Sequence, residues 1–374
     1  MNFRLLRPAL SGSAATCSGN GLARFAYVPL FPAMVASGWV DGGQAGALGG
    51  AALLGYLIGT LGGRPTGLRI GVGGTLDLGM ALIAVSLAAC AWNGGFWWLM
   101  GWRTIAGVGG GLVMALAGPA SQASVPVHLR GVAGGLVLAG IGAGIAVGAV
   151  LVPAVVPFGV SATWLTLSTA VFGLWLFARQ AWPDMPLDRP PPGGGGAGAS
   201  LLIATYGLHS AGMVPPMVYL ADLVARGRGM GVTAGALAWL VFGVVGVLGG
   251  LVSGRVIDRI GGRPALVLWL ICQVAALGLT LPESGWLIWP AAAAAGFAAV
   301  GVSTITLSVA REMAPLHAVQ VWVRATAAFG VVQTVVAFGL AWLFATTGES
   351  HLAVFAAGFG FSVAAVLAAL WLAR

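Results

Sequence analysis

The sequence predicts an all-α integral membrane protein with twelve transmembrane helices in two pseudo-symmetric halves of six. The 374 residues are 59% hydrophobic and 7% charged, and the mean hydropathy is +0.98. A soluble domain carries about 25% charged residues to cover its surface, so lipid must be the main solvent. Outer-membrane barrels are excluded because their strands alternate apolar and polar residues, whereas the stretch from Ala291 to Ala299 is continuously non-polar.

Twelve apolar stretches have the length of roughly 20 residues that a helix needs to cross the hydrocarbon core. Numbered as spans 1 to 12, they lie at residues 9–34, 43–61, 71–92, 96–118, 132–156, 161–178, 199–222, 231–252, 264–281, 286–309, 322–345 and 351–372. Glycines recur every three or four residues in spans 4 and 5, at Gly107, Gly110, Gly140, Gly144 and Gly148. Small residues let helices approach closely in lipid, so we expect these faces to pack tightly.

A proline- and glycine-rich segment at 181–198 separates spans 6 and 7. Proline removes backbone donors and polyglycine is entropically costly to order, so we predict a cytoplasmic linker there. The linker divides the chain into an N-terminal six-helix half at 1–180 and a C-terminal six-helix half at 199–374.

The two halves share a short motif at equivalent positions. A shift of 199 residues places Gly62-Gly63-Arg64-Pro65 on Gly261-Gly262-Arg263-Pro264, each between the second and third span of its half. A duplication in the same orientation predicts pseudo-twofold symmetry about the membrane normal, as in transporters built from parallel repeats.

Positive charge is distributed asymmetrically along the chain. The net charge is +8 and all basic residues are arginines. With the amino terminus inside, thirteen lie in cytoplasmic segments or at span ends: Arg4, Arg7, Arg64, Arg69, Arg130, Arg179, Arg189, Arg255, Arg259, Arg263, Arg311, Arg324 and Arg374. The outer loops hold two, Arg226 and Arg228. This bias predicts a bacterial inner (cytoplasmic) membrane protein with both termini in the cytoplasm, not a nucleic-acid binder.

Three patches resemble a known family. The segment from Gly254 to Arg263 resembles the cytoplasmic loop signature of major facilitator transporters, and the segment from Arg103 to Gly111 is similar to their fourth-span signature. The segment from Gly21 to Pro32 resembles the YbfB/YjiJ-like branch. The resemblance implies the major facilitator fold, with spans 1, 4, 7 and 10 lining a central cavity. The first half has Gly59 where the second has Asp258.

Two arginines fall within predicted spans, Arg24 in span 1 and Arg103 in span 4. Intramembrane charge is costly and usually faces a cavity or a partner, and guanidinium binds carboxylate or phosphate through paired hydrogen bonds. We therefore predict that both bind an anionic group, with Asn20 and Tyr27, on the helical face of Arg24, orienting the substrate. The alternative is that Arg103 bonds backbone carbonyls and Arg24 extends outward.

Span 7 carries His209, with Tyr206 and Met213 on the same helical face. Histidine titrates near pH 6.5, so His209 is a candidate for proton coupling and, with Tyr206, for substrate binding; the alternative is a neutral histidine held by a neighbouring helix. A rival hypothesis is Cu(I) import, because His209, Met213 and Met217 offer soft ligands at four-residue spacing.

Two acidic positions complete the candidates. Asp77 in span 3 is a second candidate for proton coupling, although pairing with Arg64, Arg69 or Arg130 is the favoured alternative. A second set, Asp258, Arg259 and Arg263, is expected to form a charge clamp that stabilises one gate state.

The sequence therefore predicts a secondary active transporter that moves a small organic anion, or an amphipathic compound with an anionic group, by alternating access with proton coupling. We expect a monomer whose partners are the substrate and the lipid bilayer, with no cofactor and no resident metal. An enzyme is not expected, because the nine acidic residues lie mostly in loops and form no catalytic cluster.

Overall fold

The computed structural model describes residues 3–186 and 199–373, and every regular element in these ranges is helical. The chain divides into two compact units, Met1–Arg189 and Pro190–Arg374. This division falls within the segment predicted to be the linker. Most of that segment, residues 187–198, lies outside the described residues, as does Arg374.

Within its described residues, the first unit contains six α-helices and one π-helical segment. They are α1 (Arg7–Thr16), the π-helical segment (Cys17–Phe25), α2 (Tyr27–Ala36), α3 (Gly42–Ala89), α4 (Phe96–Ala123), α5 (Arg130–Val155) and α6 (Val160–Ala178). Short 3₁₀ turns lie at Phe3–Leu6, Val127–Leu129, Val156–Phe158 and Arg179–Ala181.

Predicted span 1 is not one regular α-helix. It consists of α1, the π-helical segment and α2, and the backbone N–H of Ala26 donates to the Gly21 carbonyl five residues earlier, at 3.0 Å. Gly19 and Gly21 lie within this segment and are weak helix formers. π-Helical turns are rare and frequently occur at functional sites.

Predicted spans 2 and 3 are joined in α3, which is 48 residues long. At Gly71 the backbone has φ 77° and ψ 167°, so the helix is interrupted between the two spans. A positive φ of this kind is accessible to glycine. By length and composition, ten helices of the described residues can cross a membrane. The two fewer than predicted arise because α3 contains two spans and span 1 is divided into short pieces.

Glycines bring the helices of the first unit into backbone contact. A Cβ atom at Gly55 of α3 would lie 1.9 Å from the carbonyl oxygen of Thr104 of α4, and one at Gly107 would lie 2.3 Å from that of Ala52. A Cβ atom at Gly144 of α5 would lie 2.5 Å from the Cα atom of Gly21 in the π-helical segment. The predicted close packing of the glycine faces is therefore confirmed at Gly107 and Gly144.

The second unit contains α7 (Ala199–Asp222), a π-helical segment (Leu223–Gly227), α8 (Gly231–Ile260), α9 (Gly262–Thr280), α10 (Ile288–Met313), α11 (Ala318–Thr346) and α12 (His351–Leu372). A 3₁₀ turn lies at Gly285–Leu287. Backbone contact recurs here, because a Cβ atom at Gly296 of α10 would lie 2.0 Å from the Phe242 carbonyl oxygen of α8.

Candidate substrate site

Arg24 lines a small cavity inside the first unit. The cavity has a volume of about 10 Å³, which is roughly the space of one water molecule. Its lining consists of Gly19, Ala23, Arg24, Ala52, Tyr56, Ala106 and Gly107. Apart from Arg24 and Tyr56, all of these are glycine or alanine, so the space exists because the surrounding helices carry almost no side-chain volume there.

The guanidinium of Arg24 lies against two aromatic rings. Its Cζ atom is 5.1 Å from the centroid of the Tyr56 ring and 4.9 Å from that of Phe25. Cations within about 6 Å of a ring centroid are attracted by the electron-rich face. Tyr56, which the sequence analysis did not select, is thus part of the candidate site.

Arg103 is buried beside the same stretch of span 1, with 1% of its surface exposed. Its Nη1 donates to the Ala23 carbonyl at 2.6 Å, and its Cζ lies 4.4 Å from the Tyr27 ring centroid and 5.6 Å from that of Trp164. Within the described residues, Nε and Nη2 of Arg103 have no hydrogen-bond partner. The bond to Ala23 fixes the backbone next to Arg24 and is the contact that the packing alternative predicts; substrate binding by Arg103 stays a prediction.

Replacing Arg103 by lysine is expected to destabilise the first unit. Lysine keeps the charge but lacks the planar, multidentate guanidinium, so the charged bond to Ala23 and the ring contacts are weakened. We expect the free energy of unfolding to fall by roughly 1.5–3 kcal/mol, the range for a hydrogen bond that involves a charged group. Thermal unfolding in detergent measures this, with exposed Arg69→Lys as the control. Equal unfolding temperatures would count against an anchoring role.

Asn20 and Tyr27 do not line the cavity. The Asn20 Nδ2 donates to the Met114 sulfur at 3.5 Å, and the Tyr27 hydroxyl donates to the Ala45 carbonyl at 2.7 Å. The Tyr27 ring stacks on Trp164 with centroids 6.2 Å apart. Both side chains thus serve packing within the first unit, and their contact with a substrate stays a prediction.

Asp77 pairs with groups that the sequence analysis did not name. Its Oδ1 accepts from the Trp175 Nε1 at 2.6 Å and lies 4.0 Å from the Arg179 Nε. Both Trp175 and Arg179 belong to the end of the α6 region. The expected pairing with Arg64, Arg69 or Arg130 is therefore wrong, because the neighbour of span 3 at this depth is α6 and its following turn.

His209 and Tyr206 lie together in the second unit. Their rings stack with centroids 5.9 Å apart, so the shared helical face is confirmed. The Nδ1 of His209 is hydrogen-bonded to the Gln273 Oε1, and the Tyr206 hydroxyl is 2.8 Å from the Ser303 Oγ. His209 is 1% exposed. The imidazole is thus held by the neighbouring helix α9.

The methionines of the copper hypothesis also have neighbours. Met213 is 1% exposed, and the Met217 sulfur accepts from the Gln333 Nε2 at 3.3 Å. A Cu(I) ion bound by His209 through Nδ1 and by Met217 would have to displace two glutamine side chains. The arrangement within the second unit therefore gives the copper hypothesis no support.

The predicted gate residues lie at the junction of α8 and α9. Asp258 and Arg259 are exposed and Arg263 is half-buried, and no ion pair joins them within the described residues. The acidic contact at this junction comes instead from Glu312, whose Oε1 accepts from the Gly262 backbone N–H at 2.6 Å. Gating by Asp258, Arg259 and Arg263 stays a prediction.

The second unit contains a cluster of charged side chains that we did not predict from the sequence. Asp222 at the end of α7 has a fully buried side chain and accepts two bonds from Arg226, at 2.6 and 2.7 Å. Arg226 also donates to Glu349 at 2.6 Å, and the His351 Nε2 is 2.8 Å from the Asp222 carboxylate. Glu349 has a φ of 63°, which is uncommon for a non-glycine residue. The cluster ties the end of α7 to the turn before α12.

Replacing Asp222 by asparagine is expected to destabilise the second unit. Removing one partner of a buried ion pair costs roughly 3–5 kcal/mol, and partial exposure of Arg226 favours the lower end of that range. Chemical or thermal unfolding in detergent measures the loss, with exposed Asp258→Asn as the control for the same chemical change. Equal losses in the two variants would contradict a structural role for the cluster.

Comparisons with known proteins identify the family. The family described as "Uncharacterised MFS-type transporter YbfB" matches residues 16–369. No curated protein matches the chain at a significant level. MFS denotes the major facilitator superfamily, so the match bears out the resemblance of the sequence patches.

Solved structures share the fold at low sequence identity. A D-xylose–proton symporter is 17% identical, with 99% of this chain and 97% of that chain covered and a TM-score of 0.74. A mutant of the nucleoside transporter NupG is 12% identical, with both chains covered at 100% and a TM-score of 0.79. The xylose transporter XylE from E. coli is 17% identical, with 99% and 96% covered and a TM-score of 0.72.

These findings establish an all-helical, multi-pass fold with the major facilitator architecture, and the matched family is one of transporters. Because the family match extends over nearly the whole sequence, the chain belongs to the YbfB family of major facilitator superfamily transporters.

Proposed function

We propose that this transporter moves a small organic anion by alternating access, and that the anion binds in the Arg24 cavity. The observation that carries the proposal is the position of Arg24, whose guanidinium lines a cavity that is otherwise formed by glycine, alanine and the face of Tyr56. A guanidinium stays protonated at all relevant pH values and binds carboxylate or phosphate with paired hydrogen bonds.

The electrostatics of the first unit favour a negatively charged occupant. Arg103 lies close enough for its charge to act on Arg24, and the two positive charges repel each other. Two nitrogens of Arg103 have no hydrogen-bond partner in the described part of the chain. Bringing like charges together in a low-dielectric interior is costly, and an anion beside Arg24 relieves that cost. Arg103 contributes its positive charge, and its hydrogen bond holds the Ala23 backbone in place.

The cavity is too small to hold a whole substrate in this conformation. A volume of about 10 Å³ is close to the least that holds one water molecule. The lining helices must therefore move apart before an anionic group can enter beside Arg24. We favour a small carboxylate, because a compact anionic group needs the least movement.

We further propose that transport is proton-coupled through His209, with Asp77 as the second candidate. His209 is a titratable side chain in the interior of the second unit, and it is linked by hydrogen bonds to neutral polar groups of α9 and α12. Asp77 is one-third exposed and lies beside Arg179. The arginine distribution supports placement in the cytoplasmic membrane with both termini inside, and we propose a monomer as the working unit.

A ligand screen by thermal unfolding tests the substrate class. The purified protein in detergent is heated with small mono- and dicarboxylates, inorganic phosphate, xylose, nucleosides and Cu(I), each in a separate sample. A ligand that binds the folded state stabilises it by about 2.7 kcal/mol at one hundred times its dissociation constant. We expect stabilisation by at least one small carboxylate. Stabilisation by the neutral sugars or nucleosides alone, or by Cu(I) alone, would overturn the anion assignment.

A further inference from the structure

A chain of neutral polar side chains surrounds His209 in the second unit. Gln273 of α9 has no exposed surface, and its Nε2 donates to the His209 carbonyl at 3.1 Å and to the Ser362 Oγ at 2.9 Å. Ser362 of α12 donates in turn to the Gly358 carbonyl at 2.9 Å. Three helices, α7, α9 and α12, thus meet at one amide group.

These contacts determine which way the amide of Gln273 faces. A backbone carbonyl accepts hydrogen bonds but cannot donate, so the atom of Gln273 that meets the His209 carbonyl must be the NH₂ group. The hydroxyl of Ser362 uses its hydrogen on the Gly358 carbonyl and therefore also accepts from that NH₂ group. The remaining atom, Oε1, faces the Nδ1 of His209.

The amide orientation in turn determines the tautomer of the imidazole. The oxygen of an amide is an acceptor, so Nδ1 of His209 must carry the hydrogen that lies between the two groups. In neutral imidazole the second nitrogen, Nε2, is then the basic atom with a free lone pair. Free histidine in water favours the opposite tautomer, with the hydrogen on Nε2.

Tight packing keeps the amide in this orientation. A Cβ atom at Gly212 would lie 2.1 Å from the Ser362 Oγ and 2.6 Å from the Gln273 Nε2, so the backbone of α7 closes directly over the amide. The imidazole itself packs against the rings of Tyr206 and Phe329, whose centroids lie 5.9 and 6.1 Å from its own. Tyr206 is the titratable group among these neighbours, and its hydroxyl meets Ser303.

We propose that Gln273 is a positioning residue that holds neutral His209 in the Nδ1–H tautomer, so that Nε2 is the atom that takes up and releases the coupled proton. The part of this inference that concerns transport rests on the proposed proton coupling. The part that concerns the tautomer rests on the contacts of Gln273 alone. The two parts are tested by different measurements.

Nitrogen-15 NMR of histidine-labelled protein in detergent tests the tautomer. At a pH where the imidazole is neutral, we expect the His209 Nδ1 to give a protonated-nitrogen shift and Nε2 an unprotonated one, with the His209→Asn variant assigning the signals. Gln273→Leu removes the acceptor and is expected to move His209 toward the Nε2–H form, whereas Gln273→Glu keeps an acceptor and retains Nδ1–H. A wild-type His209 in the Nε2–H form would overturn the inference, as would an unchanged tautomer in Gln273→Leu.

The wild-type spectrum tests the tautomer even if Gln273→Leu fails to fold. Gln273→Met offers a second variant of nearly the same length, in which a weakly accepting thioether replaces the amide oxygen. A structural role alone would lower the unfolding temperature of these variants without changing the tautomer. The NMR shifts therefore distinguish positioning from packing.

Proteoliposomes test the role in transport. They are loaded with the carboxylate that stabilises the wild type most in the ligand screen. In Gln273→Leu we expect accumulation driven by a pH gradient to fall at least about tenfold, because positioned proton transfer typically contributes more than that, while carboxylate exchange without a gradient continues. Equal loss of both activities would overturn the role in proton coupling. Absence of any carboxylate binding would refute the proposed substrate and leave the tautomer result standing.

Discussion

Arg24→Gln is expected to abolish transport of the anion while leaving the protein folded. Glutamine keeps a polar side chain at the cavity but removes the permanent charge and the paired donors. A hydrogen bond that involves a charged group contributes roughly 1.5–3 kcal/mol, which corresponds to about 10- to 150-fold in affinity. Because repulsion from Arg103 is also relieved, the variant is expected to unfold at the wild-type temperature or above it.

The measurement pairs carboxylate-dependent thermal stabilisation with uptake into proteoliposomes. Arg69→Gln is the matched control, since it removes the same charge from an exposed position of α3. We expect wild-type stabilisation and uptake in the control and neither in Arg24→Gln. Uptake by Arg24→Gln at the wild-type rate would show that Arg24 does not bind the substrate.

Gly55→Ala is expected to disrupt the first unit. The new Cβ atom would lie 1.9 Å from the Thr104 carbonyl oxygen and 2.8 Å from its carbonyl carbon, so the α3 and α4 backbones must separate. Overpacking of a well-packed interior typically costs about 1–3 kcal/mol. Here the opposing atoms belong to backbone and cannot rotate away, so we expect the upper end of that range.

Gly62→Ala provides the matched control on the same helix. No heavy atom lies within 4 Å of a Cβ atom at Gly62. Alanine in a compatible helical position typically stabilises a protein by about 0.4–1 kcal/mol. We expect thermal unfolding in detergent to show a large loss in Gly55→Ala and none in Gly62→Ala. Similar curves for the two variants would contradict the contact between α3 and α4.

Hydropathy predicted the class of fold, because burial in lipid imposes the same apolar length on every span. It did not predict the π-helical segment, since the i to i+5 bonds arise from backbone geometry around Gly19 and Gly21 that composition does not encode. This segment also explains why Asn20 and Tyr27 do not accompany Arg24 at the cavity. The prediction that Asn20, Arg24 and Tyr27 share one face assumes α-helical spacing. A π-helix turns through a different angle at each residue, so residues at that spacing no longer share a face.

Side chains that contact the site residues from other helices could not be predicted from the sequence. The shared helical face of Tyr206 and His209 follows from helical spacing within one span and was predicted. Gln273, which holds His209, lies 64 positions away along the chain, and only the packing of α7 against α9 brings the two together. Tyr56 was overlooked because its span, residues 43–61, contains no charged residue. An isolated tyrosine in such a span is the signal that would have indicated it.

We expect a small anion to bind against Arg24 and Tyr56 inside the first unit. An experimental structure of the protein with the carboxylate that stabilises it most in the ligand screen tests this claim most directly. We expect ligand density in the cavity, with carboxylate oxygens within about 3 Å of the Arg24 guanidinium. Ligand density elsewhere in the protein, with the Arg24 cavity unfilled, would contradict it.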